Sequence, residues 1–274
     1  MAFVAQAPRL QVAWHAGETP ALQNKFYMLK NSDFIIPNWP APANVHALQT
    51  NRDGGVSHAP YNSLNLGSHV NDDPIHVAHN RQLLEPYLPS EPVWLNQVHG
   101  INVVDAAQTD CAPDADASYS TRKNVVCVTM TADCLPILVC DNAGTLVASI
   151  HAGWRSLCDG VIEATIAKLP AETKNLMAWL GPAIGSNAFE VGAEVRAQFM
   201  AKDAKAEAAF KPHSDKWLCD IYQIATQRLN NLGVSQIYGG GQDKGWCTFT
   251  DKEKFFSFRR DGVTGRMATL IWLE

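Results

Sequence analysis

The chain has 274 residues, enough for one large domain or two small ones with a substantial buried core. Its 46% hydrophobic and 18% charged residues are ordinary for a globular protein, and a net charge of −5 argues against a broad nucleic-acid-binding surface. No segment approaches the roughly 18 uninterrupted apolar residues of a membrane-spanning helix, and the start, MAFVAQAPRLQVAWH, lacks the basic and apolar regions of a signal peptide.

Residues 1–33 are Ala- and Gln-rich, weakly patterned, and followed by the proline-spaced IIPNWPAPANV; they read as a mobile extension. No linker, repeat or low-complexity tract follows, so residues 34–274 read as one catalytic domain. NVVCVTM (124–130), LPILVCD (135–141) and TLVASIH (145–151) are short β-branched runs, and Asn142-Ala143-Gly144 marks a hairpin between the last two. GVIEATIAKL (160–169) places Val161, Ile162, Ile166 and Leu169 at a helical period. Residues 191–210 read as one or two helices, 220–233 as a helix stopping at Gly233, and MATLIWLE as a closing strand. Strands mixed with helices, without a repeating βαβ rhythm, predict an α+β fold of sheet layers flanked by helices.

Seven cysteines are scattered without a CxxC pair, which points to reduced thiols and a cytoplasmic protein. One of them carries a question. In TADCLPILVC, Asp133 and Cys134 stand side by side where an apolar strand begins. A tight hairpin sets Cys134 opposite or nearly opposite His151, with Cβ atoms about 5 Å apart when directly opposed. A thiolate and an imidazole at that distance can hold a borderline metal such as zinc, or act as a nucleophile with its base. A catalytic zinc needs a third protein donor, and His99 in WLNQVHG is the candidate. Asp133 reads either as a turn cap or as a proton carrier beside the thiol. His58, His69, His76 and His79 fall in a polar loop region and are assigned no metal.

NRDGGVS (51–57), YNSLNLG (61–67), NQVHG (96–100), ADASYS (115–120), TADCLPIL (131–138), HAGWRS (151–156), GPAIG (181–185), FEVG (189–192), FFSFRRD (255–261) and TGRMA (264–268) resemble, in order and spacing, the YfiH family, also called the laccase-domain or polyphenol-oxidase family. The likeness runs from about residue 34 to the end. Two departures stand out: Asn51 takes the place of a common threonine, and the first thirty-odd residues have no counterpart.

The resemblance implies a zinc site of His99, Cys134 and His151, the same trio that the hairpin suggests. It implies a fold similar to the catalytic domain of cytotoxic necrotizing factors. It also implies purine nucleoside phosphorolysis (adenosine, inosine, methylthioadenosine), with adenosine deamination as a second activity. Two alternatives come with it: a cysteine-dependent amidase editing UDP-MurNAc-peptide cell-wall precursors, and a copper-dependent polyphenol oxidase. The residues weigh against the last, because multicopper clusters use HxH pairs and the nine histidines contain none. The HxE…PCxxC pattern of zinc cytidine deaminases is absent too. The expected catalytic residues are Cys134, His151 and Asp133. Arg52 and Arg155 are the guanidinium groups nearest the motifs and, with Asn65, the candidates for phosphate or substrate. The expected partners are a small-molecule nucleoside and phosphate, with the chain a monomer or small homo-oligomer.

Overall fold

The apolar run 135–141 forms a central strand, β6 (Leu135–Asp141), buried at every position in the computed structural model, which describes residues 29–109, 112–240 and 246–274. It lies inside a six-stranded sheet of order β12 (Gln236–Gly239), β8 (Leu176–Leu180), β6, β7 (Val147–Ala152), β4 (Ala117–Ser120), β3 (Val103–Asp105). A four-stranded sheet has the order β1 (Phe34–Ile35), β2 (Val45–Thr50), β13 (Met267–Leu273), β5 (Cys127–Thr131). A small third sheet orders β10 (Phe210–His213), β11 (Lys216–Cys219), β9 (Glu190–Val191).

Successive side chains of β6 serve two cores, which is why the run is apolar throughout rather than alternating. Leu135, Ile137 and Val139 pack beneath α2 (Trp154–Asp159), α3 (Val161–Lys168) and α5 (Ile221–Asn231). Leu138 and Cys140 face the four-stranded sheet, meeting Ile271 and Leu273. Beyond that sheet, Leu48, Val128 and Leu270 pack with Leu64, Leu66 and Leu84, near α1 (Pro74–Gln82). Truncating one of these fully buried leucines to alanine costs about 2–5 kcal/mol.

The α+β architecture agrees with the sequence reading, and several boundaries shift. The run at 124–130 starts pairing only at Cys127 and extends to Thr131. Residues 191–210 hold α4 (Ala193–Lys202) and a separate 3-10 segment, because the Asp203 carboxylate accepts from the Lys205 N–H and starts a new turn. Short α2 and strand β8 were not anticipated. A last short helix is α6 (Phe258–Asp261). Of the expected extension, residues 1–28 lie outside the described residues, but 29–33 belong to the domain: Leu29 is core, and its carbonyl accepts from the Tyr87 hydroxyl. Among the described residues, no helix is long and apolar enough to cross a membrane.

Register decides where the site lies. The hairpin pairs Pro136, not Cys134, with His151, so Cys134 stands just ahead of β6 as a diagonal neighbour of His151 on the same face. That face looks into the gap between the two large sheets, where the Thr129 and Ser149 hydroxyls meet at 2.9 Å. Two residues further along each strand, Thr131 and His151 line a cavity.

Candidate metal and catalytic site

Three segments bring one donor each to the head of β6. His151 is on β7. Cys134 ends a turn in which Asp133 takes a φ of +96°, and the Asp133 carbonyl accepts from the Ile184 N–H at 3.0 Å. His99 sits in the loop before β3 with φ +58°. The Gln97 side chain fixes this loop to the end of β5, donating to the Met130 carbonyl (2.8 Å) and accepting from the Met130 N–H (2.7 Å).

Beneath the three donors lies Asp116, wholly buried. Its carboxylate accepts from His151 Nδ1 at 2.8 Å and from the N–H groups of Val98, His99 and Gly100 at 3.3, 3.0 and 2.6 Å. One carboxylate thus sets both the tautomer of His151 and the path of the His99 loop. Burial works against its charge, but the bonds from His151 and the backbone outweigh it and hold its pKa below the ordinary value. Gly153 completes the arrangement. A Cβ there would fall 2.7 Å from His99 Cδ2 and 3.1 Å from Cys134 Sγ, so only glycine lets the three donors converge.

The donor atoms of His99, Cys134 and His151 lie within 4.8 Å of one another, and Cys134 Sγ is 3.7 Å from His99 Nε2. Burial pushes the Cys134 thiol up, but the His151 and His99 imidazoles outweigh that and bring it down to about 6. Burial likewise disfavours a charged His151, yet Cys134 and Asp116 raise it to about 9. Between those values the groups favour a thiolate beside an imidazolium.

Fit to a metal follows from the donors themselves. One sulfur and two imidazole nitrogens, with His151 Nδ1 committed to a carboxylate and the other ring nitrogen left over, suit a zinc site with an open position. Among the described residues this is the one group of three or more His, Cys, Asp or Glu donors with such geometry.

The cluster forms part of the wall of a cavity of about 410 Å³. Trp154, Phe189 and Phe258 supply aromatic surface, and Arg155, Arg259 and Arg266 supply positive charge. Among the described residues Asp133 is the one carboxylate on its wall, and it accepts from the Thr248 hydroxyl at 2.6 Å and the Arg259 backbone N–H at 2.7 Å.

The remaining sequence candidates divide. Arg155 lines the cavity, its guanidinium over the Trp154 ring at 4.4 Å. Arg52 is elsewhere: it donates to the Asn62 and Lys252 carbonyls and lies over Phe256, beside a separate surface groove. Asn65 is wholly buried, with its amide bonded to Asp72, to both backbone groups of Gly67 and to the Arg266 N–H. Its hydrogen bonds hold a loop, which leaves none for a ligand in the cavity. Asp116, His69, Thr131 and Arg266 escaped the sequence reading as site residues. Asp116 and Arg266 lie within quoted motifs, ADASYS and TGRMA, but nothing in one strand's sequence says which side chain turns toward a distant loop.

Residues 46–274 match the family described as multi-copper polyphenol oxidoreductase laccase. The chain belongs to this family. It is 56% identical over 245 residues to a Shigella flexneri protein named purine nucleoside phosphorylase YfiH, covering 88% of this chain and 99% of that one. A Haemophilus influenzae protein named purine nucleoside phosphorylase is 52% identical over the same shares. The fold is that of a Neisseria meningitidis crystal structure at 48% identity, with TM-score 0.84 over 88% of this chain and 99% of that one. A Bacillus licheniformis YfiH structure matches at 28% identity, with TM-score 0.76 over 84% and 93%.

Proposed function

We propose that this member of the family is a zinc-dependent purine nucleoside phosphorylase acting on adenosine, inosine and methylthioadenosine, with adenosine deamination as a second activity. The observation that carries this reading is the cavity, whose lining combines aromatic surface suited to a purine, a surplus of guanidinium groups suited to an oxyanion, and the His99–Cys134–His151 cluster. The names of the near relatives agree with it.

In phosphorolysis the glycosidic C–N bond breaks, a bond from the sugar C1′ to a phosphate oxygen forms, and the purine leaves with a proton. Trp154 and Phe189 hold the base and exclude water, while the arginines hold phosphate. Asp133 keeps lone pairs beyond its two hydrogen bonds and serves as the proton carrier. His99, Cys134 and His151 would hold the zinc, which when bound would supply Lewis-acid polarisation. The reading places the chain in the cytoplasm as a monomer or small homo-oligomer.

A second reading has its own observation. Cys134, His151 and Asp116 stand in the order nucleophile, base and orienting carboxylate, with the thiol depressed to about 6, as a cysteine amidase requires.

The test is to incubate the zinc-loaded protein with adenosine, with and without phosphate, and to separate adenine, inosine and hypoxanthine by chromatography. Phosphate-dependent adenine, lost in Cys134→Ala, is the expected result, and phosphate-independent inosine reports deamination. No product from the wild type overturns the nucleoside reading. Chelation then separates the classes, because a plain cysteine amidase keeps its activity without metal.

A further inference from the structure

Three guanidinium groups reach the cavity, and their surroundings differ. Arg155 is exposed and rests on Trp154. Arg259 is engaged at both ends: its backbone N–H bonds Asp133, and its Nη1 donates to the Glu190 carbonyl at 2.6 Å, with the guanidinium over the Phe189 ring at 5.3 Å. Arg266 is the one partly buried without a carboxylate partner. Only its Nη1 is bonded, to the Thr264 and Gly265 carbonyls at 3.0 Å each, so its remaining N–H groups have no acceptor among the described residues. A partly buried guanidinium with free N–H groups and no carboxylate bonded to it is stabilised by an anion that arrives to meet it.

Two neighbours reinforce the point. Thr131 also lines the cavity, is 1% exposed, and its Oγ1 has no hydrogen-bond partner. The β5–β13 register pairs Thr131 with Met267, which puts it at the same end of the strand pair as Arg266. His69, on the same cavity wall, borders Arg266 across Gly67, where a Cβ would fall 2.8 Å from Arg266 Cγ and 3.4 Å from His69 Cε1. The glycine leaves room for both side chains.

We propose that Arg266, with Thr131 and His69, forms the oxyanion subsite of the cavity and seats inorganic phosphate beside Cys134 and His151. The identity of the anion rests on the phosphorylase reading above; the subsite itself does not. Arg266 supplies a forked pair of donors, Thr131 a hydroxyl and His69 a ring N–H. Electrostatics agree: burial pulls Arg266 below the usual arginine range with only Cys134, Asp133 and Tyr61 countering, and burial together with Arg266 lowers His69.

The experiment is calorimetric titration of inorganic phosphate into the zinc-loaded full chain, alongside the KM values for phosphate and nucleoside. Arg266→Gln should weaken phosphate binding and raise the phosphate KM about 10–100-fold, and leave the nucleoside KM within about threefold. Thr131→Val, nearly isosteric, should cost about 3–10-fold in the same quantity, and Arg266→Lys should recover part of the loss. Circular dichroism and thermal midpoint confirm that each variant is folded. A folded Arg266→Gln protein that turns over nucleoside with an unchanged phosphate KM overturns the subsite and leaves the phosphorylase reading intact. Phosphate binding that needs Arg266 in a protein without phosphorolysis does the reverse. A wild type that binds no phosphate overturns the subsite.

Discussion

Cys134 and Cys140 stand on the same face of the same hairpin arm, six residues and about 20 Å apart. Near the far end of β6, Cys140 packs among Leu138, Met177 and Trp179, and burial together with Asp141 drives its thiol up to about 12. At the strand's head, Cys134 meets two imidazoles and falls to about 6. Neither residue type nor strand position makes a thiol reactive. What differs is the company at the mouth, where His99, His151 and the carboxylate behind them replace hydrocarbon.

The sharpest check of that contrast is the pH dependence of thiol alkylation in metal-free protein. A depressed thiol ionises as pH rises through its value, so Cys134 should gain reactivity from pH 5 to 7 with a midpoint near 6 and then level off. Cys140, with a value near 12, should have a thiolate fraction about 10⁵-fold lower at pH 7. Iodoacetamide labelling read by peptide mass spectrometry separates the two. A Cys134 midpoint near 9 would break the comparison.

Asp116 comes next, because it holds His151 and the His99 loop at once. Asp116→Asn replaces one acceptor oxygen with a donor NH₂ where four donors converge, at least one of which must go unpaired. Zinc affinity should fall about 10–100-fold, the usual loss when the hydrogen-bond partner of a ligating histidine is removed. Competition with a chromophoric chelator measures it directly. An unchanged affinity would show that packing alone places the two histidines.

Much of this was legible in the chain, and the part that was not has a common cause. The apolar run 135–141, the turn after it and the closing strand at 267–273 are local patterns, and each forms as read. The trio was reached by register reasoning, although the register proved to be Pro136 opposite His151. Arg52 looked close in the motif order but folds against Phe256, because proximity along a loop says little about which side chain faces inward. Asp116, Thr131, His69 and Arg266 act through contacts between segments tens to more than a hundred residues apart. No periodicity records such contacts. His69 in particular, set among polar loop residues, carried no signal separating it from His58, His76 or His79.

The smallest effect tests the quiet half of the comparison. Cys140→Ala removes one sulfur from the layer between the two large sheets and should cost about 1 kcal/mol, read as a lower denaturation midpoint with an unchanged m-value. Activity and the Cys134 labelling midpoint should stay where they are. The two thiols lie along one hairpin arm without touching, and energetic terms more than ~10 Å apart are additive when no partner is shared. If removing the core sulfur instead moved the Cys134 midpoint, the strand would be transmitting strain from the sheet gap to its head. The site would then belong to the packing of the whole hairpin rather than to the groups gathered around its mouth.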